Sequence, residues 1–292
     1  MTAVTGARAA RVYLEMIKIE HSIFALPFAL VGMMYASGDG WPGWRVFLLI
    51  LLAMVSARSA AMAFNRIADA KIDAENPRTA RRAIPAGLLK HNQALLFLVV
   101  SCAVFFVAAG LLNRLTLILA PLALAVLMFY SCTKRFTALC HLFVGLSLGL
   151  APAGAWVAVT GEFSWTPLFW ILAVTFWTGG FDVLYALQDE EFDRTQCLHS
   201  IPVSLGRANA IIVSRIFHLL AVPFLAAAGV VVGAGIAYFL GVLFVAALLT
   251  YEQSLISAHD ISKLGFAFFT LNGYVSFGFF SFALADVLLR LA

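Results

Sequence analysis

The chain has 292 residues, 63% hydrophobic and only 12% charged, with a formal net charge of +4. Soluble domains carry roughly 25% charged residues, so the composition excludes a soluble globular protein and leaves an all-α integral membrane protein as the expected class. The 21 Gly and 9 Pro fall within apolar runs rather than polar low-complexity tracts, which excludes disordered and collagen-like chains.

At the N-terminus, Arg8 and Arg11 precede the first apolar run, but Glu15, Lys18 and Glu20 interrupt the approach to it. No short apolar core with a small-residue cleavage site follows, so this segment reads as mature sequence. Tyr13, Met16 and Ile17 share one side of a helix, as in a short segment lying at the membrane interface.

A hydrocarbon core about 30 Å thick takes about 20 helical residues. That window selects apolar segments near 20–37, 44–64, 93–112, 115–131, 137–159, 165–187, 208–229, 231–251 and 264–288. The expectation is nine transmembrane helices, with 208–251 divided at Gly229 to Gly235. Placing the N-terminus in the cytoplasm leaves only Arg45, Arg114 and Arg290 of the 19 Lys and Arg in outer loops and the C-terminus. The charge excess therefore describes orientation. Nucleic acid is not an expected partner, because the basic residues are not set among base-stacking aromatics on a soluble face.

Two long polar loops break the apolar pattern. The first, after the second segment, carries Asn65, Asp69, Asp73, Arg78, Arg81, Arg82 and Ile84-Pro85; the second, after the sixth, carries Asp182, Tyr185, Asp189, Asp193 and Ile201-Pro202. Together they contain 8 of the 15 acidic residues. Superposing Asp69 and Asp73 on Asp189 and Asp193 sets Tyr185 on Asn65, which suggests an internal duplication. The chain then reads as one domain, 1–292, with pseudo-repeats in helices 1–4 and 5–8 and a ninth helix added. An even number of spans separates the loops, so both emerge on one face and converge on one site.

Residues four apart lie on one side of a helix, so Asn65, Asp69 and Asp73 form a stripe, joined by Arg58 seven residues earlier; Tyr185, Asp189 and Asp193 form another. An arginine inside a span is costly and marks function. Carboxylates so arranged repel unless cations hold them. Oxygen donors without Cys or His suit Mg²⁺, which completes its shell with water and substrate phosphates. Arg78, Arg81 and Arg82, with Lys134 and Arg135 after the fourth segment, supply donors for a diphosphate. Arg81 and Arg82 read as topology determinants rather than ligands. A membrane site that binds a diphosphate through Mg²⁺ suits an isoprenyl diphosphate, and the allylic cation left behind needs a dry pocket with π faces. Tyr130 and Tyr185 sit next to the stripes.

These residues resemble the UbiA family of intramembrane aromatic prenyltransferases, in N-x-x-x-D-x-x-x-D (Asn65, Asp69, Asp73) and D-x-x-Y-x-x-x-D-x-x-x-D (Asp182, Tyr185, Asp189, Asp193). The resemblance covers nearly the whole chain and implies nine helices around a central cavity open laterally for the prenyl chain. It implies Mg²⁺ at Asn65, Asp69, Asp73, Asp189 and Asp193, and diphosphate at Arg58, Arg78 and Lys134. Tyr130 to Arg135 resembles the family's Y-x-x-x-K-R stretch, where the tyrosine lines the reaction chamber. Lys18-Ile-Glu-His21-Ser and Asn76-Pro-Arg78-Thr resemble the branch that transfers a polyprenyl group to 4-hydroxybenzoate in quinone synthesis. A polyprenyl diphosphate, a small aromatic acceptor and the lipid bilayer are thus the implied partners, with the site on the cytoplasmic face of a bacterial inner membrane. In that reaction Tyr130, Lys134, Asp182 and Tyr185 would be catalytic, Asp182 by orienting Tyr185 or Lys134 or by helping to deprotonate the acceptor. Lys18, His21 and Arg135 are the candidates to read the acceptor's carboxylate. Naphthoate, haem and a menaquinone precursor of the futalosine route are alternative acceptors.

A secondary transporter would also show repeats and paired intramembrane acids, but near mid-membrane on broken helices. Acids at helix ends among arginines favour the enzyme. The four cysteines lack metal or disulfide spacing and read as packing residues. Gly145-Leu-Ser147-Leu-Gly149 matches a hydrolase elbow but lies in an apolar helix, where small residues serve packing. The aromatic run Phe266 to Phe280 likewise reads as lipid-facing or packing.

Overall fold

The computed structural model describes residues 7–17 and 22–292. Its helices, in chain order, are α1 (Ala7–Ile17), α2 (Ser22–Ala36), α3 (Trp44–Ala68), α4 (Ala70–Glu75), α5 (His91–Leu112), α6 (Arg114–Thr133), α7 (Cys140–Thr160), α8 (Leu168–Ala186), α9 (Glu190–Thr195), α10 (Ile201–Val231), α11 (Ile236–Leu255) and α12 (Asn272–Leu291). Among the described residues eight helical segments are long and apolar enough to cross a membrane, and a shorter apolar helix covers Phe24–Ala36. Among the described residues, each of the nine expected segments contains a helix. The predicted break between 229 and 235 is present: α10 ends at Val231, Gly233 adopts φ +62°, and α11 starts at Ile236.

Apolar side chains such as Leu96, Ile118, Leu219, Ile236 and Leu243 stay exposed on the outside of the bundle, as hydrocarbon-facing residues should. The interior is held by small residues and by paired polar groups. A Cβ on Gly145 would collide with the Thr175 carbonyl, and one on Gly149 would lie 2.7 Å from the Ile171 carbonyl oxygen, so α7 and α8 touch backbone to backbone. The G-x-S-x-G segment is that packing seam, as expected. Asn113 closes another junction: its carbonyl caps α6 by accepting from Thr116 N–H at 2.8 Å, and its amide donates to Val157 and Ala158 at the end of α7.

The first segment is helical and packs one apolar side against the bundle, as the sequence indicated. In α1, Val12, Met16 and Ile17 are buried, Tyr13 stacks on Phe97 of α5 at 5.0 Å, and Glu15 pairs with Arg11. At the opposite end of the bundle, buried Asp286 of α12 accepts from Tyr35 Oη at 2.8 Å, Gly235 N–H at 3.0 Å and Tyr238 N–H at 3.4 Å. It joins α2, the start of α11 and α12, and its charge faces a helix N-terminus. Asp286→Ala leaves those donors unpaired at about 1–3 kcal/mol each. The expected outcome is a lower melting temperature in detergent with substrate affinity unchanged.

Two local departures reshape the expected stripes, and a third separates the two Ile-Pro pairs. The helix carrying Asn65 ends at Ala68, and Asp69 (φ −95°, ψ 5°) separates it from α4, so Asn65, Asp69 and Asp73 do not lie on one straight helix. The second stripe is interrupted by a 3₁₀ turn over Leu187–Asp189. Ile201-Pro202 opens α10 behind the Ser200 N-cap, but Gly206 (φ 76°, ψ 164°) breaks this short first piece from the long helix, which resumes close to the expected start near 208; Ile84-Pro85 lies in a run of turns. The two Ile-Pro pairs are therefore not structural counterparts.

Candidate active site

A cavity of about 1040 Å³ runs between α2, α3, α6, α7 and α8. Its walls are mostly aliphatic and extend to Phe163 and Trp165 in the loop after α7. Its polar end is walled by Arg58, Asn65, Arg66, Arg78 and Asp182, with Tyr130 and Tyr185 alongside. Six of the residues expected at the site, Arg58, Asn65, Arg78, Tyr130, Asp182 and Tyr185, thus line one space.

Asp69, Asp73, Asp189, Asp193 and Lys134 stand behind that end rather than on its wall, and each aspartate is closed by a cation. Arg78 grips Asp189 with both nitrogens, Nε at 2.9 Å and Nη2 at 2.6 Å, so the first loop reaches directly onto the second. Asn76 adds a long contact to the same carboxylate at 3.4 Å. Lys134 Nζ lies 2.7 Å from Asp193, and Arg135 Nη2 donates to Asp69 at 2.7 Å and to the Ala68 carbonyl at 2.8 Å. Two consecutive basic residues after α6 therefore hold one aspartate from each motif. The acidic ends share one face of the bundle, as the even spacing of spans requires. Arg82 donates to both oxygens of Asp73, at 2.7 and 2.8 Å. Its expected role as a topology determinant is thus incomplete: it is built into the charged lattice, and its nine-residue separation from Asp73 hid the pairing.

These carboxylates are withdrawn from water, with Asp193 only 1% exposed and Asp73 7%. Burial pushes the Asp69 carboxyl up to about 6 despite the opposing Arg135. For Arg78 burial acts to lower the pKa, but the hydrogen bonds to Asp189 and the negative charges of Asp189 and its neighbours together outweigh it, and the guanidinium is held above its ordinary value. All four aspartates are hard oxygen donors that need a positive partner, which is the chemistry a divalent cation satisfies. Among the described residues, no three His, Cys, Asp or Glu side chains form a ready metal cluster. A cation would take one or two carboxylates and complete its shell from an anionic ligand.

The aromatic wall is firmer than the sequence implied. Tyr185 stacks on Phe268 with centroids 4.0 Å apart, and the Arg78 guanidinium sits 5.6 Å from the Tyr185 ring centroid. Phe268 and Phe269 belong to a π-helical turn over Phe266–Leu271 and line the cavity, so this part of the aromatic run faces the chamber rather than lipid. Asn272 fixes that turn: its amide donates to the Ala267 carbonyl and to Glu252, and its carbonyl accepts from Trp177 Nε1 at 2.7 Å. Tyr130 Oη contacts Met62 Sδ at 3.9 Å.

Asp182 pairs with neither Tyr185 nor Lys134. Its partner is His141 of α7, Nδ1 to Oδ2 at 2.7 Å. His141 lies 41 residues away on another helix, so no spacing rule finds it; the one sequence signal is a histidine inside an apolar span. Arg66 was missed as well. It is 5% exposed, lines the cavity, and makes contacts of 3.3 Å to Asn65 Oδ1 and the Met16 carbonyl. Of the candidates for an acceptor carboxylate, Arg135 is committed to Asp69, and Lys18 and His21 lie outside the described residues.

The model of the UbiA prenyltransferase family matches residues 25–274. The chain belongs to that family. A 4-hydroxybenzoate octaprenyltransferase of Vibrio campbellii is 30% identical over 273 residues, spanning 92% of this chain and 95% of the relative. The apo UbiA homologue of Aeropyrum pernix K1 superposes with a TM-score of 0.82 at 32% identity, covering 94% of this chain and 99% of the other. A UbiA homologue from Archaeoglobus fulgidus, bound to GPP and Mg²⁺, shares the fold with a TM-score of 0.77 at 17% identity over 95% and 99% of the two chains. The shared architecture makes this a multi-pass, helical UbiA protein, and a transporter reading loses its ground.

Proposed function

We propose that this UbiA protein transfers a polyprenyl group from polyprenyl diphosphate to the ring carbon ortho to the hydroxyl of 4-hydroxybenzoate, with Mg²⁺ as cofactor, in quinone biosynthesis. One observation carries the reading: a long apolar cavity ends in Arg58, Arg78 and Asn65 with four cation-paired aspartates directly behind them. The apolar length suits an isoprenoid tail, and the charged end suits its diphosphate. The Vibrio relative's activity on 4-hydroxybenzoate supports the choice of acceptor.

In this reading nine spans surround the cavity, the N-terminus and polar end face the cytoplasm of a bacterial inner membrane, and the two halves derive from a duplication. Asn65, Asp69, Asp73, Asp189 and Asp193 would hold Mg²⁺, which supplies charge neutralisation for the departing diphosphate. Arg58, Arg78 and Lys134 bind the diphosphate oxygens and orient the allylic carbon toward the acceptor. As the carbon–oxygen bond breaks, its electron pair leaves with the diphosphate. Tyr130 and Tyr185 face the resulting allylic cation, and the aliphatic walls exclude the water that would capture it. The phenol ring attacks ortho to its hydroxyl and then loses the proton from the substituted carbon.

The test is mass spectrometry of products from purified protein given one polyprenyl diphosphate and a panel of acceptors. Prenylated 4-hydroxybenzoate, formed with Mg²⁺ and absent with a chelator, is the expected result. A mass shift seen only with a naphthoate, a futalosine-route precursor or haem would overturn the acceptor; diphosphate release without any prenylated product would overturn the reaction.

A further inference from the structure

We propose that His141 is a positioning residue that holds Asp182 as the acceptor of the proton lost from the aromatic ring. This inference rests on the prenyl-transfer reading above and assigns its last step.

The charge pattern singles out Asp182. Asp69, Asp73, Asp189 and Asp193 each carry an arginine or lysine partner within 3 Å. Glu15, also on the cavity wall, pairs with Arg11. A carboxylate held by a permanent cation is a poor base. Asp182 is instead held by an imidazole, lines the cavity, and keeps a quarter of its side chain exposed, while His141 is only 2% exposed behind it. The Ile201 N–H approaches His141 Nε2 at 3.3 Å, which makes Nε2 the acceptor and assigns the ring hydrogen to Nδ1, the atom 2.7 Å from Asp182 Oδ2. The histidine thus fixes one carboxylate oxygen through Nδ1, and an imidazole, unlike an arginine or lysine, is not a permanent cation.

The arrangement is built by packing. His141 is one helical turn before Gly145, whose backbone abuts Thr175, and Asp182 is two turns beyond Thr175 on α8. Close contact of α7 and α8 therefore sets the imidazole against the carboxylate. In the assigned step the bond from the substituted ring carbon to its hydrogen breaks, its electrons restore aromaticity, and the proton passes to Asp182. From there it leaves to the released diphosphate or to solvent.

The experiment compares wild-type protein with His141→Leu and His141→Asn, using 4-hydroxybenzoate and its ring-deuterated form. His141→Leu is expected to lower kcat by about 10²-fold, the low end for general-base catalysis. The acceptor KM should change little, and a primary isotope effect should emerge as proton loss becomes rate-limiting. His141→Asn, whose amide nitrogen replaces Nδ1 as donor, should recover much of the rate and suppress the isotope effect. Should His141→Leu not fold, Asp182→Asn keeps the size and a hydrogen-bonding partner but removes the base, and must show the same isotope effect. A slow variant with no isotope effect, or an unaltered kcat, overturns the assignment. Wild-type protein that forms no prenylated product overturns the underlying reaction instead.

Discussion

Asp189→Ala should reduce prenyl transfer by about 10²–10³-fold, the range seen when one charge-stabilising group is removed from an active site. Asp189 is the point where the two motifs meet, because Arg78 crosses from the first loop to hold both its oxygens. Its removal has two consequences of the same sign. It deletes an oxygen donor from the proposed Mg²⁺ site, and it releases the guanidinium that both faces Tyr185 and points toward the diphosphate end of the cavity. Initial rates at saturating Mg²⁺ and polyprenyl diphosphate measure the loss. A size-exclusion profile and melting curve matching wild type separate it from misfolding. Retention of near wild-type turnover would show that the bridge between the motifs is structural and that the metal is held elsewhere.

The second large effect is at Gly145, remote in sequence from either motif. A Cβ there would overlap the Thr175 carbonyl of α8, a backbone atom that cannot rotate aside. Gly145→Val must force α7 from α8, and overpacking of this kind costs about 1–3 kcal/mol or more. The expected result is a lower melting temperature in detergent together with loss of activity, since the same seam sets His141 against Asp182. Gly154, on the same helix, has open space where a Cβ would go, so Gly154→Ala should keep the wild-type melting temperature. Equal melting temperatures for the two variants would refute the close-packed seam.

The apolar segments were legible because length and hydropathy alone mark a helix that must satisfy its backbone in lipid, and even the division at Gly229 to Gly235 could be placed. The motif residues were legible because charge is so expensive in this setting that its position is informative. What could not be read was pairing. Arg82 with Asp73, Arg78 with Asp189 and His141 with Asp182 depend on how loops fold back and which helices touch. The local breaks at Asp69 and over Leu187–Asp189 were hidden for another reason: neither contains Gly or Pro, and a regular i, i+4 pattern runs across both. The short helical piece before Gly206 did have a signal, Ser200 followed by Ile201-Pro202, but it was read as the close of a loop. Phe268 packs in the core as the aromatic run suggested, but that it and Phe269 also border the cavity depends on which helices meet there.

Four cations of the chain already neutralise the four motif aspartates before any ligand arrives. An incoming diphosphate can recruit Arg78 or Lys134 only as Asp189 or Asp193 is given up, and a divalent ion can take those carboxylates only as the arginine and lysine let go. Occupancy by cation and by anion is consequently linked, each strengthening the other by the same factor. Titration of either alone should give shallow, weak binding, and titration of the two together should give a much steeper isotherm.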